Sequence, residues 1–76
     1  MNTKEIVMNL LAEEFGLIDI QDDDLIFSNK RLDSMDVLKL IMLLESNFSI
    51  KIPTFEVALE MFDTANSIAE LVNSRL

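Results

Sequence analysis

A chain of 76 residues, half of them apolar, is long enough for one small folded domain with a single hydrophobic core. It contains no cysteine and no histidine, which excludes disulfides, zinc–thiolate sites, thiol catalysis and the usual general base. We therefore expect neither an enzyme nor a metal centre. The net charge of −8 opposes binding to nucleic acids and to anionic membranes, and favours protein partners that carry basic patches.

The acidity also has a simpler interpretation, because it keeps a small protein soluble. The first residues, Met1 to Glu5, carry no apolar run typical of a signal peptide. No segment reaches the roughly 18 consecutive apolar residues of a membrane span. We expect a cytoplasmic monomer that does not insert into membranes.

The first predicted helix, helix I, runs from about Thr3 to Phe15. Asn2 can cap it, with Glu5 as the reciprocal partner of a capping box. Apolar residues recur at helical spacing along it, and they are Ile6, Val7, Leu10, Leu11 and Phe15. Gly16, the only glycine, stands where a helix would end in a left-handed residue.

No helical or strand period is sustained from Leu17 to Leu32, a connection of sixteen residues. Its scattered apolar residues indicate that it packs across the helices. The run Asp22–Asp24 could attract a divalent cation, but it lacks the alternating oxygen ligands, the glycine and the final glutamate of a calcium loop. We interpret the run as a solvated loop segment.

Helix II begins after the capping residue Asp33 and extends to about Phe48. Pro53 prevents helix continuation, and Thr54 can cap a short helix III over Phe55–Phe62. A last helix, capped by Asp63 or Thr64, turns Ile68, Leu71 and Val72 inward. No strand alternation is visible. The sequence predicts one all-α domain over 1–76, a four-helix bundle with three longer helices, a short helix III and a long loop between helices I and II.

Helix II has two apolar sides. At about 100° per residue, one arc contains Val37, Leu40, Ile41, Leu44 and Phe48, which we expect to face the core. Met35, Leu38 and Met42 form a second, narrower stripe on a different arc. Another part of the chain could cover this stripe, since apolar residues at helical spacing are usually buried. Otherwise it is a surface for a partner, for which methionine is well suited.

Ser34 lies in the first turn of helix II, beside this second stripe. A phosphate ester at a helix N-terminus is favoured by unpaired N–H groups and by the helix dipole. The tetrapeptide Asp33-Ser34-Met35-Asp36 is equally an ordinary helix start, in which Asp33 caps the helix and Asp36 suits the dipole.

The run Asp33-Ser34-Met35-Asp36, followed by Leu38, Met42, Leu44-Glu45, Phe48 and Ile52-Pro53, resembles the acyl carrier protein family, and the similarity extends over the whole chain. The resemblance implies that Ser34 carries a 4′-phosphopantetheine arm, attached from coenzyme A by a phosphopantetheinyl transferase. Acyl or aminoacyl groups would be held as a thioester on the thiol of the arm, which fits a chain without cysteine.

The resemblance also implies a partner surface. It gives Asp33 and Asp36 roles in recognition by the transferase, and it makes Met35, Leu38 and Met42 the docking stripe. Glu45, Glu56 and Glu60 would contact basic patches on a loading ligase and on downstream acyl-processing enzymes of fatty-acid or secondary-metabolite biosynthesis.

Some residues differ from carriers of fatty-acid synthesis. Lys30-Arg31-Leu32 stands where those carriers have glycine and a small residue, and Lys39 replaces a usual glutamate. Leu32-Asp33-Ser34-Met35 is more similar to D-alanyl carriers and other stand-alone aminoacyl carriers. A specialised acyl chain and an amino acid both remain open as cargo. The alternative function is an unmodified, acidic helical interaction module that uses the stripe of helix II, with Ser34 only as part of the cap.

Overall fold

The fold of the computed structural model is described for residues 2–53 and 59–76. The helices are α1 (Thr3–Phe15), α2 (Ser34–Phe48) and α3 (Ala65–Arg75), with a short 3-10 helix at Leu59–Phe62 before α3. These two ranges contain no strand, and the predicted all-α class is confirmed. Of the predicted helix III, only the last four residues fall within the described part, where they form the 3-10 helix. Thr54 and the remainder of that prediction lie outside it.

Local capping sets where the helices begin and end. The Asn2 side chain accepts a hydrogen bond from the Glu5 N–H at 3.2 Å, which is one half of the predicted capping box. Gly16 ends α1 with a φ of 71°, a left-handed conformation that glycine adopts without a Cβ penalty. Thr64, rather than Asp63, caps α3, and its Oγ1 accepts from the Ser67 N–H at 3.0 Å.

The core is built from all the helices and from the long loop 16–33. Leu17, Ile20, Ile26 and Leu32 of this loop are buried together with the inner faces of α1, α2 and α3. The loop therefore packs across the helices, as predicted, although Ile18 is 82% exposed. No polar or charged residue is buried in the described part of the chain.

Hydrogen bonds and ion pairs fasten the loop to its surroundings. The Ser28 N–H donates to Asp63 Oδ1 at 2.8 Å, and the Ser28 hydroxyl donates to the other oxygen of the same carboxylate. The Lys4 ammonium lies 2.9 Å from the Asp22 carboxylate, and the Asp22 carbonyl accepts from the Asn66 N–H. Asp22 is a partly exposed loop residue, and it also joins the loop to α1 and α3.

Within the ranges 2–53 and 59–76, no helix has the length and apolar character needed to cross a membrane.

Candidate functional site

A reciprocal capping box fixes the start of α2. Asp33 Oδ1 accepts from the Asp36 N–H at 2.8 Å, and Asp36 Oδ2 accepts from the Asp33 N–H at 3.3 Å. Asp33 has an extended backbone, so Ser34 is the first helical residue. The two carboxylates predicted to serve in recognition are thus also the residues that hold the helix start in place.

The Ser34 side chain is exposed and forms no hydrogen bond within residues 2–53 and 59–76. Its hydroxyl is therefore open to a modifying enzyme. The helix dipole favours a negative group at this position by about 0.3–1 kcal/mol at an exposed site. The geometry can accept an anionic ester on the serine without breaking the cap, because the capping bonds use Asp33 and Asp36 only.

The two faces predicted for α2 differ in their exposure. The inner set is buried, with at most 4% of any side chain exposed, and it consists of Val37, Leu40, Ile41 and Leu44, which we call the buried face. Phe48 is partly buried against the same core. Met35, Leu38 and Met42 are 72%, 48% and 69% exposed, and we call them the exposed stripe. Within the described part of the chain, no other segment covers the exposed stripe.

A groove adjoins the serine on the side of the long loop. It has a volume of about 560 Å³, and we call it the Ser34 groove; its lining residues are Phe27, Ser28, Lys30, Leu32, Asp33 and Ser34. No site was predicted in the stretch Lys30-Arg31-Leu32 before Asp33. The left-handed backbone of Lys30, with a φ of 60°, shapes the turn, and no sequence signal indicated it.

Glu45 lies at the other end of α2 and is partly buried. Its Oε2 accepts from the Ile52 N–H at 2.9 Å, and this bond fastens the segment after the helix. Ser49, which ends α2, has a left-handed φ of 55°. The predicted contact of Glu45 with partners is therefore accompanied by a structural role. Glu56 lies outside the described residues, and Glu60 is exposed on the 3-10 helix.

Lys39 of α2 contacts α1. Its ammonium lies 5.4 Å from the centroid of the Phe15 ring and 3.9 Å from Glu14 Oε1. Lys39 thus helps to hold α2 against α1.

Three carboxylates that support the long loop have a lowered pKa. Hydrogen bonds from the Ser28 hydroxyl and N–H lower the pKa of Asp63. The hydrogen bond from Arg31 lowers the pKa of Asp19, and the hydrogen bond and charge of Lys4 lower that of Asp22. All three stay ionised near neutral pH and hold the loop that forms one wall of the Ser34 groove. The described residues contain no group of three potential ligands that could hold a metal ion.

Comparison with known proteins gives the same site a context. The family described as "Phosphopantetheine attachment site" matches residues 5–74. The chain is 40% identical over 70 residues to the D-alanyl carrier protein of Streptococcus suis (strain 05ZYH33), which covers 90% of this chain and 87% of that protein. It is 40% identical over 72 residues to the D-alanyl carrier protein of Streptococcus equi subsp. zooepidemicus (strain MGCS10565), covering 92% and 90% of the two chains. The corresponding protein of Streptococcus thermophilus (strain ATCC BAA-491 / LMD-9) is 39% identical over 72 residues.

Proposed function

Because the chain belongs to the acyl carrier protein family, whose members carry a covalent 4′-phosphopantetheine, we propose that Ser34 is the attachment residue. A protein of this family is a non-catalytic carrier, which works with a phosphopantetheinyl transferase and a loading enzyme. The observation that supports Ser34 is its exposed hydroxyl at the first position of α2, without a hydrogen bond in the described part of the chain.

The residues around Ser34 fit the cofactor. When bound, the arm supplies a terminal thiol that holds cargo as a thioester, and the chain itself has no cysteine to do so. The capping box of Asp33 and Asp36 fixes the backbone at Ser34, so that the hydroxyl is presented at a constant position. The Ser34 groove leaves room for a substituent on this hydroxyl.

The exposed stripe is the proposed docking surface for partner enzymes. Full burial of an exposed side chain of this size is worth about 1.5–3 kcal/mol, and a partner that covers the exposed stripe recovers the share that is still in contact with water. Asp33 and Asp36 contribute to recognition by the transferase. Glu45 and Glu56 contribute negative charge toward basic patches on the ligase and on downstream enzymes.

An amino acid, and specifically D-alanine, is the proposed cargo. The support is that several relatives at about 40% identity over most of the chain are D-alanyl carrier proteins. The sequence Leu32-Asp33-Ser34-Met35 agrees with this subtype. A specialised acyl chain, which was equally open from the sequence, is the less supported cargo.

The remaining parts of the proposal concern organisation. We take residues 1–76 as one carrier domain, since the family match runs from residue 5 to residue 74. A short helix over 55–62 would complete a four-helix bundle, with the 3-10 helix as its end. The protein would act as a monomer in the cytoplasm.

Loading of the serine is tested by intact mass. The protein is incubated with coenzyme A and a promiscuous phosphopantetheinyl transferase, and we expect a gain of one phosphopantetheine. Ser34→Ala should abolish the gain, whereas Ser46→Ala, which removes another exposed hydroxyl of α2, should keep it. No gain in the natural chain would contradict the carrier function and leave the unmodified interaction module. A gain that survives Ser34→Ala would show that the residue is wrong.

The cargo is tested on the loaded protein. With ATP and the D-alanine-activating ligase of one of the streptococcal relatives, we expect a further mass increase of one alanyl group with D-alanine. The same mixture with L-alanine is the control. A loaded protein that accepts only acyl chains from acyl-activating ligases would contradict the D-alanine proposal and leave the carrier function intact.

A further inference from the structure

The Ser34 groove is lined by the start of α2 and by residues 27–32 of the long loop. We propose that this groove is the binding site of the phosphopantetheine arm itself while no partner is bound, with Lys30 binding the phosphodiester and Phe27 contacting the apolar part of the arm. The inference rests on the proposed attachment to Ser34.

The groove matches the arm in size and in chemistry. Its volume of about 560 Å³ is within the roughly 300–1,000 Å³ typical of small-molecule sites. Phe27 is partly buried against the core and Leu32 is buried, so both are held firmly, while Ser28 and Lys30 are exposed and polar. The arm has a similar order of groups, because an anionic phosphodiester next to the serine is followed by a carbon bearing two methyl groups and then by amides.

Lys30 is the basic residue that lines the Ser34 groove in an otherwise acidic chain. Lys4, Arg31 and Lys39 each pair with a carboxylate of the protein. Lys30 forms no ion pair within residues 2–53 and 59–76, and it lines the same groove as Ser34. The Asp33 carboxylate also lines the groove, but it accepts the Asp36 N–H. Lys30 is therefore the cation available to a phosphodiester on Ser34.

The loop wall of the groove is formed in advance. The Lys30 N–H donates to the Phe27 carbonyl at 3.0 Å, and the Arg31 N–H donates to the Ile26 carbonyl at 2.8 Å. Behind this turn, Asp63 binds Ser28 through its carboxylate and Ile26 through its carbonyl. A group that docks here needs to order little of the protein, which favours binding.

Proximity favours this groove over the far end of α2. A second groove, of about 510 Å³, lies beside Met42 and Lys51, and Met42 is eight positions along the helix from Ser34. At 1.5 Å per residue this is about 12 Å along the axis. The Ser34 groove, in contrast, includes the attachment residue itself.

The test is NMR spectroscopy of the holo protein, after intact mass has established loading. We expect NOEs between the two methyl groups of the arm and the Phe27 ring, together with a shifted phosphorus signal. Lys30→Gln should lower the ratio of docked to free arm by about two- to five-fold, the effect of losing one exposed ion pair. Lys51→Gln removes the same charge at the other end of α2 and should leave the NOEs unchanged.

Other outcomes would overturn the proposal. NOEs from the arm to Met35, Leu38 or Met42 instead of Phe27 would place the arm on the exposed stripe. An arm without NOEs to the protein, or a Lys30→Gln variant with the same docked fraction as the natural chain, would also contradict it. Amide spectra of both lysine variants show whether the fold is kept. If no mass gain occurs at all, the proposed function fails first, and this result is distinct from a loaded protein with a free arm.

Discussion

The two faces of α2 carry the same kinds of side chain in opposite surroundings. Leu40 is fully buried, whereas Leu38, two positions earlier on the same helix, is 48% exposed. α2 packs against α1 and the 3-10 helix, and its buried face shares one core with Ile26 and Leu32 of the long loop. The comparison shows that hydrophobicity alone does not tell a packing residue from a recognition residue on this helix. The angular position of a residue around the helix axis distinguishes the two.

The start of α2 connects the two faces. Ser34 lies beside the exposed stripe in the helix and also lines a groove formed by the loop that covers the buried face. Because only one of the two faces is buried, changes to the buried face should affect folding, whereas changes to the exposed stripe should affect partner recognition.

The largest expected effect is on the buried face. Leu40→Ala should lower the free energy of unfolding by about 2–5 kcal/mol, because it leaves a cavity in a core with no exposed boundary at that residue. A domain of this size has only roughly 4–11 kcal/mol of stability in total. Urea denaturation followed by circular dichroism measures the change. A loss below about 1 kcal/mol would mean that Leu40 contributes no more to stability than a residue of the exposed stripe, and that the buried face is not a packed core.

The matched change on the exposed stripe should act on recognition. Leu38→Ala and Met42→Ala should each lower the free energy of unfolding by less than about 1 kcal/mol, because about half of Leu38 and most of Met42 are already in contact with water. The kcat/KM for loading by the transferase or the ligase should fall about tenfold, as for an interface residue worth about 1.4 kcal/mol. The same urea titration and the intact-mass time course measure both quantities. A stability loss as large as that of Leu40→Ala would show that the stripe is covered in solution.

A smaller effect on stability is expected from the hydrogen bonds between Ser28 and the Asp63 carboxylate, which we call the clamp because they hold the long loop in place. Asp63→Asn weakens the bonds to Ser28 and should lower the free energy of unfolding by about 1 kcal/mol. Asp23→Asn removes the same charge from an exposed loop position and is the control. Equal stability losses in the two variants would mean that charge, not the clamp, is responsible.

The clamp also has a defined pH dependence. Because folding lowers the pKa of Asp63, its contribution is present above the ordinary aspartate pKa and is lost as the pH falls through the lower, folded value. The difference in melting temperature between the natural chain and Asp63→Asn should be constant from pH 7 to about pH 5, and it should shrink as the pH falls below the ordinary aspartate pKa of about 4. A difference that grew at acidic pH would contradict this assignment of sign.

Much of the local structure could be predicted because its causes are local. Asp33 caps α2 as predicted, because the cap depends only on residues within a few positions, although the reciprocal bond to the Asp36 side chain was not predicted. Gly16 ended α1 for the same reason, and the helical period separated the buried face from the exposed stripe. The resemblance to carrier proteins supplied the cofactor, which physical reasoning from the residues did not.

Contacts between distant residues could not be predicted in this way. Ser28 and Asp63 are 35 positions apart, and neither residue type indicates the other as its partner. The pairing of Asp22 with Lys4 was not predicted, because it depends on how the loop lies against α1. The sequence around Glu45 did not indicate that its carboxylate would accept a hydrogen bond from the Ile52 N–H, because this contact forms only after the chain turns at Ser49.

By itself, then, the sequence determined the helices, the capped position of Ser34 and the division of α2 into two apolar sides, because each depends on residues within a few positions of one another. Only the tertiary structure decided which of those sides is left open and what lies beside the serine. Exposure and grooves arise from the packing of segments far apart in the chain, such as the turn at Phe27–Lys30 against the start of α2. That packing made Lys30 a neighbour of the proposed attachment site.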